Sequence, residues 1–477
     1  MIFLLLPFAS LPIFAQEDST RVLEMVVVSA FQYNKPLADV PVSIAFVTTE
    51  QLSRFQNTSF VSAVNTVPGV RMEERSPGSY RFSIRGSLLR SPFGIRNVKF
   101  YLNGLPLTDG GGNTYLNLLD VSNVSSMEII KGPGASTYGA GTGGVVLMHN
   151  DASVPLGVQL QYGGFNLLRV QGGGTLVANE KDEVNFTTAS QRGDGYREHS
   201  AMKRFNTSLD WSHLFSTKSK LGITFLTSDL FYETPGGLTK TQAHENPIQA
   251  RPPTATTGGA VQQKASISNR THYASARFED EWNSDVLFKT GVFASYTDFK
   301  NLAIMNVEER EEYNVGGRTE VVWNTTLFNA ETRFNTGVEY QFFHSPLNVF
   351  DNELGVATDL QTKDRLTSFA GLVFVQGEVE LPHGFRLTTG GSLNFLQYKF
   401  QRTFPVLQQQ TRTFSPGFYP RLALLKKIKS LSLFTSISKG FSPPTWAEVR
   451  PSEGTYNNNL KAEYGTNVEA GIKGTVK

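Results

Sequence analysis

Residues Val98 to Met148 read VKFYLNGLPLTDGGGNTYLNLLDVSNVSSMEIIKGPGASTYGAGTGGVVLM, and this stretch decides the fold. Val98, Phe100 and Leu102 alternate along a strand that breaks at the turn pair Asn103-Gly104. Gly110 to Gly112 then open a loop. A second apolar strand around Met127 to Ile130 runs into Lys131-Gly132-Pro133, and Gly134, Gly139, Gly141, Gly143 and Gly144 crowd the residues behind it. Glycine at this density calls for positive φ and close backbone approach, which a packed helix does not need. No Gly-Lys-Ser/Thr closes the run and no GxSxG elbow lies within it, so neither a phosphate loop nor a nucleophile turn is present there.

Past Asp151 the pattern changes to strands of period two. Leu156, Val158, Leu160 and Tyr162 stand opposite Gly157, Gln159 and Gln161, and Phe205, Thr207, Leu209 and Trp211 stand opposite Asn206, Ser208, Asp210 and Ser212. The longest run alternates Phe328 through Phe342 with Asn329, Glu331, Arg333, Asn335, Glu339 and Gln341. One apolar and one polar face per strand fits lipid outside and a hydrated lumen inside, although a soluble sandwich shares the period. Link lengths separate the two readings. Short links at Asn179–Asp182, Ser216–Lys218 and Pro382–Gly384 alternate with long polar ones at Glu233–Arg270, Asn301–Gly316, His344–Asp364 and Phe441–Tyr464, as in transmembrane barrels.

Composition agrees. The 477 residues carry a net charge of +2 and no cysteine, so neither a nucleic-acid-scale basic excess nor a disulfide framework exists. Charged residues make up 18%, below the roughly 25% of soluble chains, while aromatics reach 12%. Mean hydropathy is -0.22, and no internal run approaches the about 18 apolar residues of a spanning helix. Any membrane crossing is therefore made by a barrel. Seven histidines show no HExxH and no paired ligand spacing, so no protein metal site is expected.

At these residues the chain resembles the TonB-dependent outer-membrane receptors. The plug domain of that family carries a turn like Leu102 to Leu107, then a segment like Glu128-Ile129-Ile130-Lys131-Gly132-Pro133 continuing through Ser136, Tyr138 and Gly139 to Gly143-Gly144-Val145. Val67-Pro68-Gly69-Val70 and Phe82-Ser83-Ile84-Arg85-Gly86 match it too. Later, Ser438 to Glu448, Asn459 to Glu463 and Asn467 to Gly474 resemble the family's barrel series, with Ala462 where proline is usual. Ahead of the plug, Glu24-Met25-Val26-Val27-Val28-Ser29-Ala30 resembles the TonB box. A β-branched run after a polar segment suits strand addition to a partner's sheet edge, and the same run also reads as a first plug strand.

The resemblance implies a mainly β fold, with an N-terminal α+β plug inside a transmembrane antiparallel β-barrel. The expected domains are a signal peptide at 1–15, a periplasmic segment with the TonB box at 16–35, the plug at 36–151 and an incomplete barrel at 152–477. About 14 strands are legible, against the roughly 22 of family barrels, and the chain ends inside a strand without the family's terminal aromatic, so a truncated sequence is expected. The leader lacks a basic n-region, and the true start is expected slightly upstream.

Further expectations follow from the family. Plug and barrel are held by arginine–glutamate contacts, carried over to Arg85, Lys131 and Glu469, with Lys131 lacking the two-pronged fork of arginine. Arg75, Tyr80, Arg90, Asn113 and Tyr115 on the plug apices are expected to offer cationic, aromatic and amide contacts to an anionic chelate. The chain is expected to be a non-enzymatic, monomeric importer of a ferric siderophore or ferric citrate in a Gram-negative outer membrane. Its partners would be TonB, the inner-membrane energising complex, the iron chelate and lipid, with no cofactor and no nucleic acid. Glu233 to Thr239 looks like a segment of ferric-citrate-type receptors. Cobalamin, haem or glycan receptors are the alternatives within the class, with a passive porin or adhesin barrel outside it and a lipase barrel last.

Overall fold

A computed structural model describes residues 27–29, 31, 35–55, 58–87, 94–150, 153–451 and 455–474. Strand β1 (Val27–Val28) pairs with β2 (Lys35–Pro36) in a small antiparallel ribbon. Next come β3 (Ile44–Thr48) and α1 (Thr49–Ser53), whose start is fixed by a capping box: the Thr48 hydroxyl accepts from the Gln51 amide, and the Gln51 side chain accepts from the Thr48 amide. Helix α2 (Val61–Val64) stops short of Pro68-Gly69. The hairpin β4 (Val70–Ser76) and β5 (Ser79–Ile84) follows, then β6 (Val98–Leu102), β7 (Leu105–Pro106), β8 (Ser126–Lys131), α3 (Ala135–Tyr138) and β9 (Gly144–His149).

The plug's main sheet runs β3-β8-β9-β6-β7. Four of its five strands come from Val98 to His149. Asn103 and Gly104 both take positive φ, 48° and 83°, which folds β6 onto β7. The β6–β9 pair is parallel while the other pairs are antiparallel, and a parallel pair needs a long crossover. Residues 107–143 supply that crossover and carry the glycine-rich loops to the plug surface. Val47, Phe82, Phe100, Met127, Ile129 and Val146 fill the core, with Phe82 edge-on to Phe100 at 5.2 Å.

Around the plug curls one sheet of fourteen antiparallel strands, each paired to the next, from Gly157–Gly163 to Glu463–Gly474. The number is the one the alternation predicts. Polarity decides what it faces: Phe205 and Leu209 are 46% and 41% exposed on the outer side, while Asn206 and Ser208 are each 2% exposed against the plug. A soluble sandwich buries its apolar face, and this sheet does the reverse. The structure thus combines a plug with an inside-out wall.

Short links lie at one end of the wall, at residues 179–181, 215–218, 282–285, 328–329 and 382–384, and long ones at 234–265 and 443–462 lie at the other. Two expected long loops are corrected. Asn301–Gly316 and His344–Asp364 are instead the outer ends of paired strands, Val286–Leu302 with Asn306–Leu327 and Ala330–Glu353 with Val356–Leu381. Successive polar residues such as Glu308, Glu309, Arg310 and Glu311 hide the period there. Backbone pairing and contacts such as Lys300–Glu309 at 2.6 Å hold those extensions together.

Candidate functional site

At the plug apex, Asp109 folds its own loop: Oδ1 accepts from the amides of Gly111 and Asn113 at 2.8 and 2.9 Å. The wall then comes very close. A Cβ on Gly111 would stand 2.9 Å from Trp446 Cδ1, and one on Gly112 would stand 2.8 Å from Thr445 Cγ2, so glycine is what lets this loop seat. The Trp446 amide donates to the Gly111 carbonyl at 3.1 Å, and Ser368 Oγ donates to the Gly110 carbonyl at 2.5 Å. Beneath lies a cleft of about 800 Å³ lined by Asp109, Gly112, Gln341, Asn394, Tyr398 and Thr445.

Acidic groups dominate beside it. The Tyr115 hydroxyl donates to Glu312 at 3.0 Å and accepts from Arg310 at 2.9 Å, and Arg310 pairs with both Glu312 and Glu308. One guanidinium thus serves two carboxylates. Burial, then the Glu312 charge, pushes the Asp109 carboxyl up to about 7, against the pull of its loop amides and Arg310.

The residues expected to grip an anionic chelate are spread apart. Arg75 is exposed on β4 and Asn113 is half-buried inside the Asp109 turn. Tyr115 spends its hydroxyl on Glu312 and Arg310. Tyr80 is 4% exposed and belongs to the plug core, where burial and then Glu74 push its hydroxyl up to about 12. Arg90 lies outside the described residues.

Charges tie plug to wall at several depths. Arg85 Nη2 meets Glu469 Oε1 at 2.5 Å. Lys131 does not share that contact: its ammonium donates to the Pro68 carbonyl at 2.6 Å, within the plug. Deeper, Arg169 grips Asp120 with both prongs, at 2.9 and 2.7 Å, and Arg204 stands 3.5 Å from the same carboxylate. Lys99 reaches Glu339 at 2.5 Å, and Glu339 also accepts from Arg318 at 2.8 Å and from the Tyr101 hydroxyl at 2.9 Å.

At the opposite end of the plug, the N-terminal segment is fastened down. The Ser29 amide and hydroxyl both donate to Glu128 Oε1, at 2.8 and 2.7 Å, and His149 Nε2 lies 3.3 Å from that hydroxyl. Two residues on, the Phe31 amide donates to the Tyr138 hydroxyl at 2.7 Å. Burial raises the Glu128 pKa, but the His149 and Ser29 hydrogen bonds outweigh it and hold the carboxylate below its usual range. Val27 and Val28 form β1; Glu24, Met25, Val26 and Ala30 lie outside the described residues.

Residues 36–146 match the TonB-dependent Receptor Plug Domain, and residues 93–476 match the TonB dependent receptor-like beta-barrel. The chain belongs to the TonB-dependent receptors. Members of this family are outer-membrane receptors and transporters of Gram-negative bacteria that work with TonB. Among solved structures, this receptor is similar to the unliganded ferric citrate transporter FecA, with a TM-score of 0.78 and 16% identity over 92% of this chain and 68% of that one. It is also similar to the siderophore receptor PiuA from Acinetobacter baumannii, with a TM-score of 0.72 and 14% identity over 92% of this chain and 70% of that one. In sequence it is similar to the vitamin B12 transporter BtuB of Vibrio vulnificus strain CMCP6, 27% identical over 187 residues, 38% of this chain. The match spans 27% of that relative's length.

Within this TonB-dependent receptor, the family motifs pointed to Arg85 and Glu469 but not to Lys99, Asp120, Arg169, Arg318 or Glu339. A signal for the wall residues existed. Each is a charge on the polar face of a strand whose other face is apolar, and a charge on that face is where a wall meets something buried.

Proposed function

We propose that this receptor lies in the outer membrane and imports a chelated iron complex, a ferric siderophore or ferric citrate, against its gradient. The plug blocks passive flow. Ligand bound at the apex shifts the plug, the segment from Glu24 to Ala30 becomes available at the other end, and TonB pulls on it by strand addition. The inner-membrane complex supplies the energy, so the receptor needs no cofactor.

One observation carries this reading: the plug sits against the polar face of an inside-out wall, with a cleft at the apex and Ser29 fastened to Glu128 at the opposite end. A porin needs no such fastening. The likeness to ferric citrate and siderophore receptors supports iron as cargo. Cobalamin is a specific second reading, because the sequence relatives are vitamin B12 transporters and because Glu308, Glu312 and Asp109 around Tyr115 make a poor host for an anionic chelate. Uptake of radiolabelled ferric citrate, ferric siderophores and cobalamin by cells lacking their own receptors separates the two. Iron accumulation is expected. Cobalamin accumulation alone would replace the reading with the second.

A further inference from the structure

Two clefts flank one buried charge cluster. The upper cleft, below the apex, takes in Lys99, Gly139, Glu339 and Gln341. The lower, of about 890 Å³, is lined by Ser29, Tyr138, His149, Thr290, Arg318 and Glu320. Between them stand Lys99, Tyr101 and Tyr138 from the plug with Arg318 and Glu339 from two neighbouring wall strands, where Arg318 and Glu339 face each other in register. Glu339 joins Lys99, Arg318 and Tyr101; Arg318 also donates to the Thr137 carbonyl at 3.1 Å.

The same cluster is tied to the N-terminal segment through one residue. The Tyr138 carbonyl accepts from Lys99 at 3.0 Å and from the Tyr101 hydroxyl at 2.9 Å, while its own hydroxyl accepts from the Phe31 amide at 2.7 Å. Tension on the segment therefore loads the residue that helps close the cluster. The other flank of the plug lacks this arrangement. A cleft there, lined by Gln159, Gln171 and Asn185, is closed above by the grip of Arg169 on Asp120 and by Asn206 donating to the Asn117 and Leu118 carbonyls.

We infer that cargo crosses along this one seam and that Lys99, Tyr101, Tyr138, Arg318 and Glu339 form its septum, opened when the N-terminal segment is drawn away. This inference rests on the import reading above. The septum presents two cations, two carboxylates if Glu320 beside Arg318 is included, and phenolic hydroxyls, a lining suited to a polar, hydrated solute rather than an apolar one.

The chain has no cysteine, so a single introduced thiol reports one place. Thr290→Cys marks the lower cleft of the seam and Gln171→Cys marks the opposite flank, each in the full chain in cells probed from outside with a sulfonated maleimide. Glu339→Gln is expected to speed labelling at Thr290→Cys by about tenfold or more, since an opening equilibrium shifts by whatever its closing contacts lose; labelling at Gln171→Cys should not change. Tyr101→Phe, which keeps every charge, should give a smaller rise at the same site and carries the test if Glu339→Gln fails to reach the surface. Unchanged labelling at Thr290→Cys, or an equal rise at Gln171→Cys, overturns the seam. Failure of the unaltered receptor to accumulate any offered cargo would sink the import reading instead, and the labelling result would still be legible.

Discussion

Asp120 of the plug and Arg169 of the wall meet as a two-pronged ion pair, Nη1 to Oδ2 at 2.9 Å and Nη2 to Oδ1 at 2.7 Å, with both side chains almost fully buried. Geometry of this kind repays much of the cost of taking the two charges out of water. Removing Arg169 leaves the buried Asp120 carboxylate with only Arg204 at 3.5 Å and the Ser122 amide and hydroxyl as partners.

Arg169→Met is therefore expected to weaken docking of the plug by about 3–5 kcal/mol. Protease digestion of the purified receptor should show earlier cleavage within residues 36–146, the range of the plug match. Because Arg204 also stands by Asp120, Arg204→Met should have a milder effect, and the double variant should show more loss than the sum if the remaining arginine partly compensates.

The Arg85 and Lys131 sides of the plug are not equivalent. Arg85 reaches Glu469 while Lys131 spends its ammonium on the Pro68 carbonyl. Glu469→Gln should cost about 1 kcal/mol, the scale of a partly exposed pair. Lys131→Arg should change plug protease resistance by less than about 0.5 kcal/mol. A clear gain from Lys131→Arg would show that the residue does face the wall.

What the sequence made legible follows from which forces have a period. Alternation of Phe205 and Leu209 with Asn206 and Ser208 marked the wall, and glycine with turn pairs marked the plug, because both are local constraints. The outer hairpins at Leu302–Asn306 and Glu353–Val356 escaped, since residues such as Glu308 to Glu311 are polar on both faces there and leave no contrast to read. Long-range pairs escaped for another reason. Lys99 with Glu339, and Asp120 with Arg169, are joined by topology over 240 and 49 positions. Nothing nearby in the chain distinguishes Lys99 from a solvated lysine. Tyr80 likewise sits in a hairpin that reads as an apical loop, yet its side of β5 faces the core.

Asp109 supplies a pH prediction. Its carboxyl is raised from an ordinary 3.8 to about 7 by burial and Glu312. Between those values the folded loop holds a proton that the unfolded chain has released, so this group's contribution to stability falls as pH rises. Loop docking should be strongest below about pH 4 and should weaken through about pH 7. Asp109→Asn keeps an oxygen that can accept from Gly111 and Asn113, and it should flatten that part of the thermal stability profile. A wild-type profile already flat between those limits would contradict the assignment.

Glu128 is the anchor for Ser29 and the contact partner of His149. Glu128→Gln halves the acceptor capacity and removes the charge that strengthens it, and is expected to weaken the fastening by about 1–2 kcal/mol. Proteolysis between residues 24 and 35 should then run about tenfold faster without ligand. Equal rates in the two proteins would show that Ser29 is held by something else.

Deletion of Val26 to Val28, followed by measurement of radiolabelled cargo in energised cells, tests the central claim most directly. The account predicts that cells still bind cargo at the surface but lose accumulation to the level reached with a protonophore. Undiminished accumulation after the deletion would contradict it, since flux would then owe nothing to a pull on the N-terminal segment.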